Sequence, residues 1–418
     1  MTLDPVHFGG ITDLVGRVSH GIDEEEHRDE ALRAWETYFD PLFEDGNEIL
    51  TPVGERRRYA AAIDEAGVQP DQFDTVHGLD SGTINPRAFK NGLVLDVAQA
   101  AMSVTPSDED VHRSRTVVAT VHASDETVQV PEDDTWQQKD EGFWWGKIFE
   151  APRVDRDERA VVHALSLYLA ESEHAKRLAD GVDDLLVLDG PLYPKIITNW
   201  LDQSRPLSDL PLENDLVQKV VANYIGLVET FVERDVPLMG FVKNVQSRGL
   251  VRTLGRKGGP TPWNDDAAFF SQLLERRESG EEGYERRTDD LTYTNWFVSR
   301  LGYDREFSRL GDYLGVETSL DPEAYEVAFF VLYEPRSDVV YKVEMPAAFA
   351  RDDAVRERVT RQVLRDVAEH AGPPPAVARA DELAKIGHAE KAELIPALEE
   401  ALDSEYDASY DDRRWGIE

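Results

Sequence analysis

The chain has 418 residues, 41% of them hydrophobic, with a formal net charge of −38 and a pI near 4.6. That apolar content supports a large core and excludes a disordered acidic tail, and the length suits one large domain or two ordinary ones. The absence of cysteine excludes disulfides, thiol catalysis and Cys-ligated zinc or iron–sulfur centres.

The acids are spread along the whole length, and Arg far outnumbers Lys. A globular fold wrapped in carboxylates fits the salty cytoplasm of a halophile, and it makes any local cluster of cations more informative. No apolar run approaches the roughly 18 residues needed to span a bilayer. The N-terminal Met-Thr-Leu-Asp-Pro has neither a basic nor an apolar leader region, so the expectation is a cytoplasmic protein with no signal peptide and no membrane association.

Residues 1–70 read as an N-terminal helical arm, with helical spacing over 11–18, 31–43 and 55–66 and a break at Pro52 and Gly54. From Phe73 the pattern changes to strands, over 75–80, 92–98 and 116–122, separated as in an antiparallel meander. The first runs Val76-His77-Gly78-Leu79-Asp80-Ser81-Gly82. It reads as a strand that ends on a carboxylate and then turns, which sets Asp80 at the rim of a sheet. Residues 124–150 carry Trp136, Phe143, Trp144, Trp145 and Phe149. They are expected as an insertion packed by its own aromatics, or else as a stacking surface for bases.

Residues 156–179 are expected as a helix, because Val161, Ala164, Tyr168, Ala175 and Leu178 recur at helical spacing, and Glu171 shares their face. An acid on an apolar stripe is costly unless it is paired or ligated. A strand over 185–188 then closes in Asp189-Gly190-Pro191. Two strands ending on Asp80 and Asp189, if adjacent in one sheet, bring together carboxylates that repel unless they share a proton or hold cations, which points to a divalent metal. Taken singly, each Asp is equally at home capping a turn.

A helix over 212–234 and an apolar strand over 237–243 follow, the latter ending on Lys243. Residues 244–320 read as a loop-rich insertion. Within it Arg248, Arg252, Arg256 and Lys257 form a basic run whose three Arg share one helical face. Phosphate binding and pairing with the chain's own carboxylates are both open for it. Strands over 325–333 and 339–344 form a hairpin, and a helix over 353–370 is stopped by Pro373-Pro374-Pro375. A last helix runs from about 376 to 387, and residues 401–418 form an acidic tail. There is no Gly-x-x-x-x-Gly-Lys-Ser/Thr stretch, so the chain is no P-loop motor.

Three strands, a helix, a strand, further helix and strand and a late helix, with acids on the first strand, the helix, the fourth strand and the late helix, resemble an α/β ribonuclease-H-like mixed-sheet core. The helical arm and later helices are additions to it. Gly78-Leu79-Asp80-Ser81-Gly82, Leu188-Asp189-Gly190-Pro191-Leu192, Gly240-Phe241-Val242-Lys243 and the closing Pro375-Ala376-Val377-Ala378-Arg379-Ala380-Asp381 look like the archaeal and bacterial NurA nuclease family. So do Phe329 to Tyr333 and Val340 to Glu344. The similarity runs from about residue 70 to 395, so residues 71–400 are expected to form the nuclease domain.

The resemblance implies a manganese- or magnesium-dependent nuclease acting on single- and double-stranded DNA. It further implies two metal ions, a homodimer, and docking on a hexameric HerA translocase for resection of DNA ends in double-strand break repair, with 5′–3′ polarity. Two divalent ions about 4 Å apart need several carboxylates between them. The resemblance assigns these to Asp80, Glu171, Asp189 and Asp381, with Glu173 as the alternative on the helix and His388, two turns along the last helix, as the alternative to Asp381. Lys243 is expected to neutralise the scissile phosphate. The chain departs from the family at the last helix: Asp381 stands where many members have a His after Ala, and Pro373 where many have a Tyr before Pro. The rivals are a catalytically eroded relative that only clamps DNA or a translocase, and a metal-dependent phosphatase or exoribonuclease.

Overall fold

In the computed structural model, residues 5–17, 24–124, 130, 135–280, 283–307 and 314–408 are described. Their organising feature is a run of apolar, β-branched segments that pair into one mixed sheet. Its strands include β1 (Asn47–Pro52), β2 (Val76–Thr83), β3 (Leu93–Thr105), β4 (Arg115–Ala123), β5 (Trp144–Glu150), β6 (Leu185–Asp189) and β7 (Leu238–Val242). They continue with β8 (Phe297–Ser299), β9 (Val327–Glu334) and β10 (Val339–Pro346). The spatial order is β1-β8-β9-β10-β7-β6-β2-β3-β4-β5, extended at one edge by Leu42–Glu44 and at the other by Gln137–Lys139.

At the centre, β4-β3-β2-β6-β7 has the strand order of a ribonuclease-H-like core. β2 runs antiparallel to β3 and parallel to β6, and β6 runs parallel to β7. Leu185 to Leu188 are all buried, as parallel strands covered on both faces require. Helices α2 (Glu158–Leu178) and α3 (Asp215–Glu233) cover one face, α2 packing on β2, β3 and β4. Helix α7 (Pro375–Ala384) lies across β2 and β3 on the other, fed by α6 (Asp353–His370) and followed by α8 (His388–Leu402).

The helical expectation for residues 1–70 holds over Pro5–Val15 and over α1 (Glu24–Tyr38), and gives way beyond it. Ala31 and Trp35 share one buried face of α1, Phe39 follows just beyond it, and Trp35 and Phe39 pack against Phe269 and Phe297. Residues 42–44, 47–52 and 58–62 are strands that extend the main sheet through β8 and through Asp290–Thr294. Pairing with a distant sheet edge overrides local helical spacing there. Residues 144–150 form strand β5, parallel to β4 and outside the five central strands, and within the 124–150 segment Trp136 packs edge-on against Phe149. The stretch expected as loop-rich contains α4 (Gly249–Arg256), α5 (Asp266–Leu274) and β8.

Candidate metal centre

Asp80 projects from β2 and Asp189 closes the adjacent strand β6, where Leu188 is paired with Leu79. The sequence places a turn after each acid, and the two behave differently. Gly190 does leave the strand, at φ +133°. β2 instead continues through Ser81 and Gly82 to Thr83, so Asp80 lies inside a strand. The glycines around it have another use. A Cβ on Gly78 would lie 2.2 Å from the Ala376 carbonyl oxygen, and one on Gly82 would lie 2.3 Å from that of Ala384. Gly78, Asp80 and Gly82 point to one face, and α7 rests directly on that face. Ala376, Ala380 and Ala384 complete the close approach from the helix side, and the Ser103 hydroxyl donates to the Ala376 carbonyl at 2.5 Å. This seating brings Asp381 over Asp80.

Asp80, Asp189 and Asp381 each offer a carboxylate oxygen, and the three oxygens lie within 4.8 Å of one another. Glu171 approaches from α2. Its Oε1 accepts from the Ser81 hydroxyl at 2.6 Å and its Oε2 from the Tyr224 hydroxyl at 2.7 Å. Glu173, the other helix candidate, faces away: it accepts from Asn223 at 3.1 Å and pairs with Lys219 at 3.6 Å. Lys243, just beyond β7, holds its Nζ 2.6 Å from Asp189 Oδ2 and 3.7 Å from Asp381 Oδ2.

The electrostatics follow from this crowding. Burial, then repulsion from Asp189 and Glu171, lifts the Asp80 carboxyl to about 8. Burial lifts Glu171 to about 7 against the pull of its two hydroxyl partners. Asp189 is also raised by burial, with Lys243 working in the opposite direction. Burial lowers the Lys243 ammonium, but its bond to Asp189 and the surrounding carboxylates outweigh this and hold it above the usual lysine range. A cluster that resists ionisation until a cation joins it is chemically suited to a hard divalent ion, and its all-oxygen donor set is the kind manganese and magnesium take. The lysine ammonium between two of the acids shows that positive charge is accommodated there.

The remaining sequence candidates separate. His388 is not two turns along α7: the helix stops at Ala384, and His388 opens α8 after a break at Lys385–Gly387. It lines the same groove as Asp80 and Asp381 but is not among the three acids that converge. Arg248 and Lys257 flank α4, and Arg252 and Arg256 lie on it, all four exposed. Arg256 is engaged by Glu44. Arg248 and Arg252 rim a pocket with Lys195 and Lys342, and among the described residues neither forms an ion pair.

Tyr224, and the bond from Ser81 that with it fixes Glu171, go beyond what the sequence patterns point to. Tyr224 sits among Val220, Val221, Ile225 and Val228 on a helix whose spacing marks it simply as core. The available signal is that a buried tyrosine hydroxyl must find an acceptor.

A family model described as the NurA domain matches residues 74–386. None of the curated proteins matches the chain. Among solved structures, the chain is similar to the NurA nuclease from Sulfolobus solfataricus at 11% identity, over 94% of this chain and 97% of that one, with a TM-score of 0.48. It is similar to a NurA with manganese at 11% identity, over 78% and 89%, with a TM-score of 0.40. A NurA bound to dAMP and manganese follows at 9% identity, over 81% and 91%, also at 0.40.

Proposed function

The chain belongs to the NurA family, on a domain match that spans most of its length, and from that premise we propose that it is a divalent-metal-dependent deoxyribonuclease. The observation that carries this reading is the approach of Asp80, Asp189 and Asp381 to within 4.8 Å, from two strands and a helix far apart in the chain. Asp80, Asp189 and Asp381 would hold manganese or magnesium, two ions in this reading, with Glu171 as the fourth carboxylate. The ions supply Lewis-acid activation of water and neutralise charge on the phosphate. Glu171 is kept in register by Ser81 and Tyr224. Lys243 presents its ammonium to the scissile phosphate, and Arg248 and Arg252 meet the backbone beyond it, with Arg256 and Lys257 at the far end of α4.

The substrate of this reading is single- and double-stranded DNA, cut by hydrolysis without a covalent enzyme intermediate. Because the sequence holds no P-loop, feeding of DNA falls to a hexameric HerA-type translocase, with a homodimer of this chain docked on it for resection of DNA ends in the cytoplasm. The test is a manganese and magnesium titration of cleavage on a short single-stranded oligonucleotide, with EDTA as control. Cleavage that needs the metal and is abolished by Asp80→Ala or Asp189→Ala is expected. Absence of cleavage at every metal concentration overturns the proposal.

One observation favours a second reading, a DNA-binding clamp without catalysis. Lys243 already neutralises Asp189 at 2.6 Å, as a resident cation can in place of a metal. Oligonucleotide that is bound throughout the titration and never cut selects the clamp.

A further inference from the structure

We propose that the groove between β2 and the start of α8 is a phosphate subsite, which holds the backbone of the DNA strand one step away from the bond being cut. The inference rests on the nuclease reading and adds the flank of the centre opposite Lys243 and Arg248. The groove encloses about 450 Å³ and is continuous with the metal centre: Asp80, Ser81, Asp381, Lys385, His388 and Lys391 all line it.

Two lysines face it, in a chain with a net charge of −38. Among the described residues neither Lys385 nor Lys391 has an ion pair, although carboxylates are close by. Each of those carboxylates is already engaged. Glu382 is held by Arg379 at 2.7 Å, and Glu390 caps the backbone NH of Gly387. Asp96, behind the groove, accepts from Thr83 at 2.9 Å, His163 at 2.9 Å and Ser166 at 3.1 Å. Asp80 and Asp381 belong to the metal centre.

Behind Lys391 stands Arg87, only 7% exposed, which donates to the Tyr406 hydroxyl at 3.1 Å and keeps a buried Nε with no partner. Burial, then the Arg87 guanidinium, holds the Lys391 ammonium below the usual lysine range. Arg87 repels Lys391, and Asp96, the carboxylate that offsets this, is already held by Thr83, His163 and Ser166, so an arriving anion stabilises the two cations. The sheet order β3-β2-β6-β7 puts this groove on the β2 side of the acids and Lys243 on the β7 side. A strand crossing the rim therefore meets cations before and after the reacting phosphate. The ligand class is a nucleic-acid phosphodiester, recognised by charge without base readout.

The test compares wild type with Lys385→Gln, Lys391→Gln and the double variant. Binding of a fluorescent single-stranded 12-mer is measured by anisotropy in EDTA from 0.05 to 0.5 M salt, and cleavage is followed with manganese. Each substitution is expected to weaken binding about 5-fold at low salt and to reduce the slope of log affinity against log salt by about 0.7, the value for one phosphate contact on a single strand. In cleavage the loss falls on KM more than on kcat, and Lys391→Arg restores the salt slope. Unchanged affinity in the double variant overturns the proposal, as does a loss of affinity with an unchanged salt slope. A wild type that binds with the full slope and never cuts refutes the nuclease reading and leaves this subsite standing.

Discussion

Asp80→Asn separates what the centre costs the fold from what it does. Burial and neighbouring carboxylates hold Asp80 at about 8, against 3.8 for a free side chain. A carboxyl raised on folding contributes stability that is fully present below its unfolded value and is lost as pH rises through the folded one. At 1.36 kcal/mol per pH unit, holding the Asp80 proton at pH 7, where the unfolded chain releases it, nominally costs the metal-free fold about 4 kcal/mol. Movement of the exposed Asp381 and entry of water leave roughly 1–2 kcal/mol of this. Asn keeps the shape and removes the charge. In EDTA at pH 8.5 the variant should therefore melt about 1–2 °C above wild type, a gap that closes toward pH 4. Manganese should reverse the order, because only wild type gains the full linkage energy of the ion. Thermal melts at the two pH values, with and without manganese, together with a cleavage assay, read all of this. A variant that melts below wild type in EDTA at pH 8.5, or that gains as much as wild type from manganese, refutes the reasoning.

Gly82→Ala should cost about 2–4 kcal/mol and abolish cleavage, because its Cβ would meet the Ala384 carbonyl and lift α7 with Asp381; denaturant melts and an oligonucleotide assay check this. Tyr224→Phe removes one hydroxyl from Glu171 and should cost about 1 kcal/mol of stability and roughly ten-fold in kcat, measured with manganese saturating. Lys195→Met strips a buried partner from Glu344, which Lys195 meets at 2.5 Å, and should destabilise by about 3–5 kcal/mol in urea melts. Glu344 itself is held at about 2, burial being outweighed by Lys195 and Lys342. Its contribution is thus present above the free value and lost as pH falls through the depressed folded one, so the stability gap between wild type and Lys195→Met should narrow in acid melts.

Much of the core was legible because its elements follow strict periods. The helix expected over 156–179 is α2, the strand over 237–243 is β7, and the hairpin over 325–344 is β9 and β10. Adjacency of Asp80 and Asp189 follows from two similar strand endings, and β2 and β6 are indeed neighbours. What failed were readings that needed a distant partner. Residues 58–62 carry helix-forming alanines yet pair with 290–294. Ser81-Gly82 reads as a turn, but its glycine serves a helix three hundred residues downstream. Counting turns puts His388 on a helix that in the structure ends at Ala384. Tyr224 and Lys391 are invisible for the same reason: each gains its meaning from a neighbour on another element.

The seat that Gly78 and Gly82 prepare for α7 also orders events during synthesis. A nascent chain can pair β2 with β6 once residue 189 has cleared the ribosome, but Asp381 arrives only with residues 375–384. Until then the glycine-lined strip of β2 is bare, and Asp80, Asp189 and Glu171 wait for the acid that α7 carries. The proposed metal centre is thus completed only when α7 docks on its glycine seat.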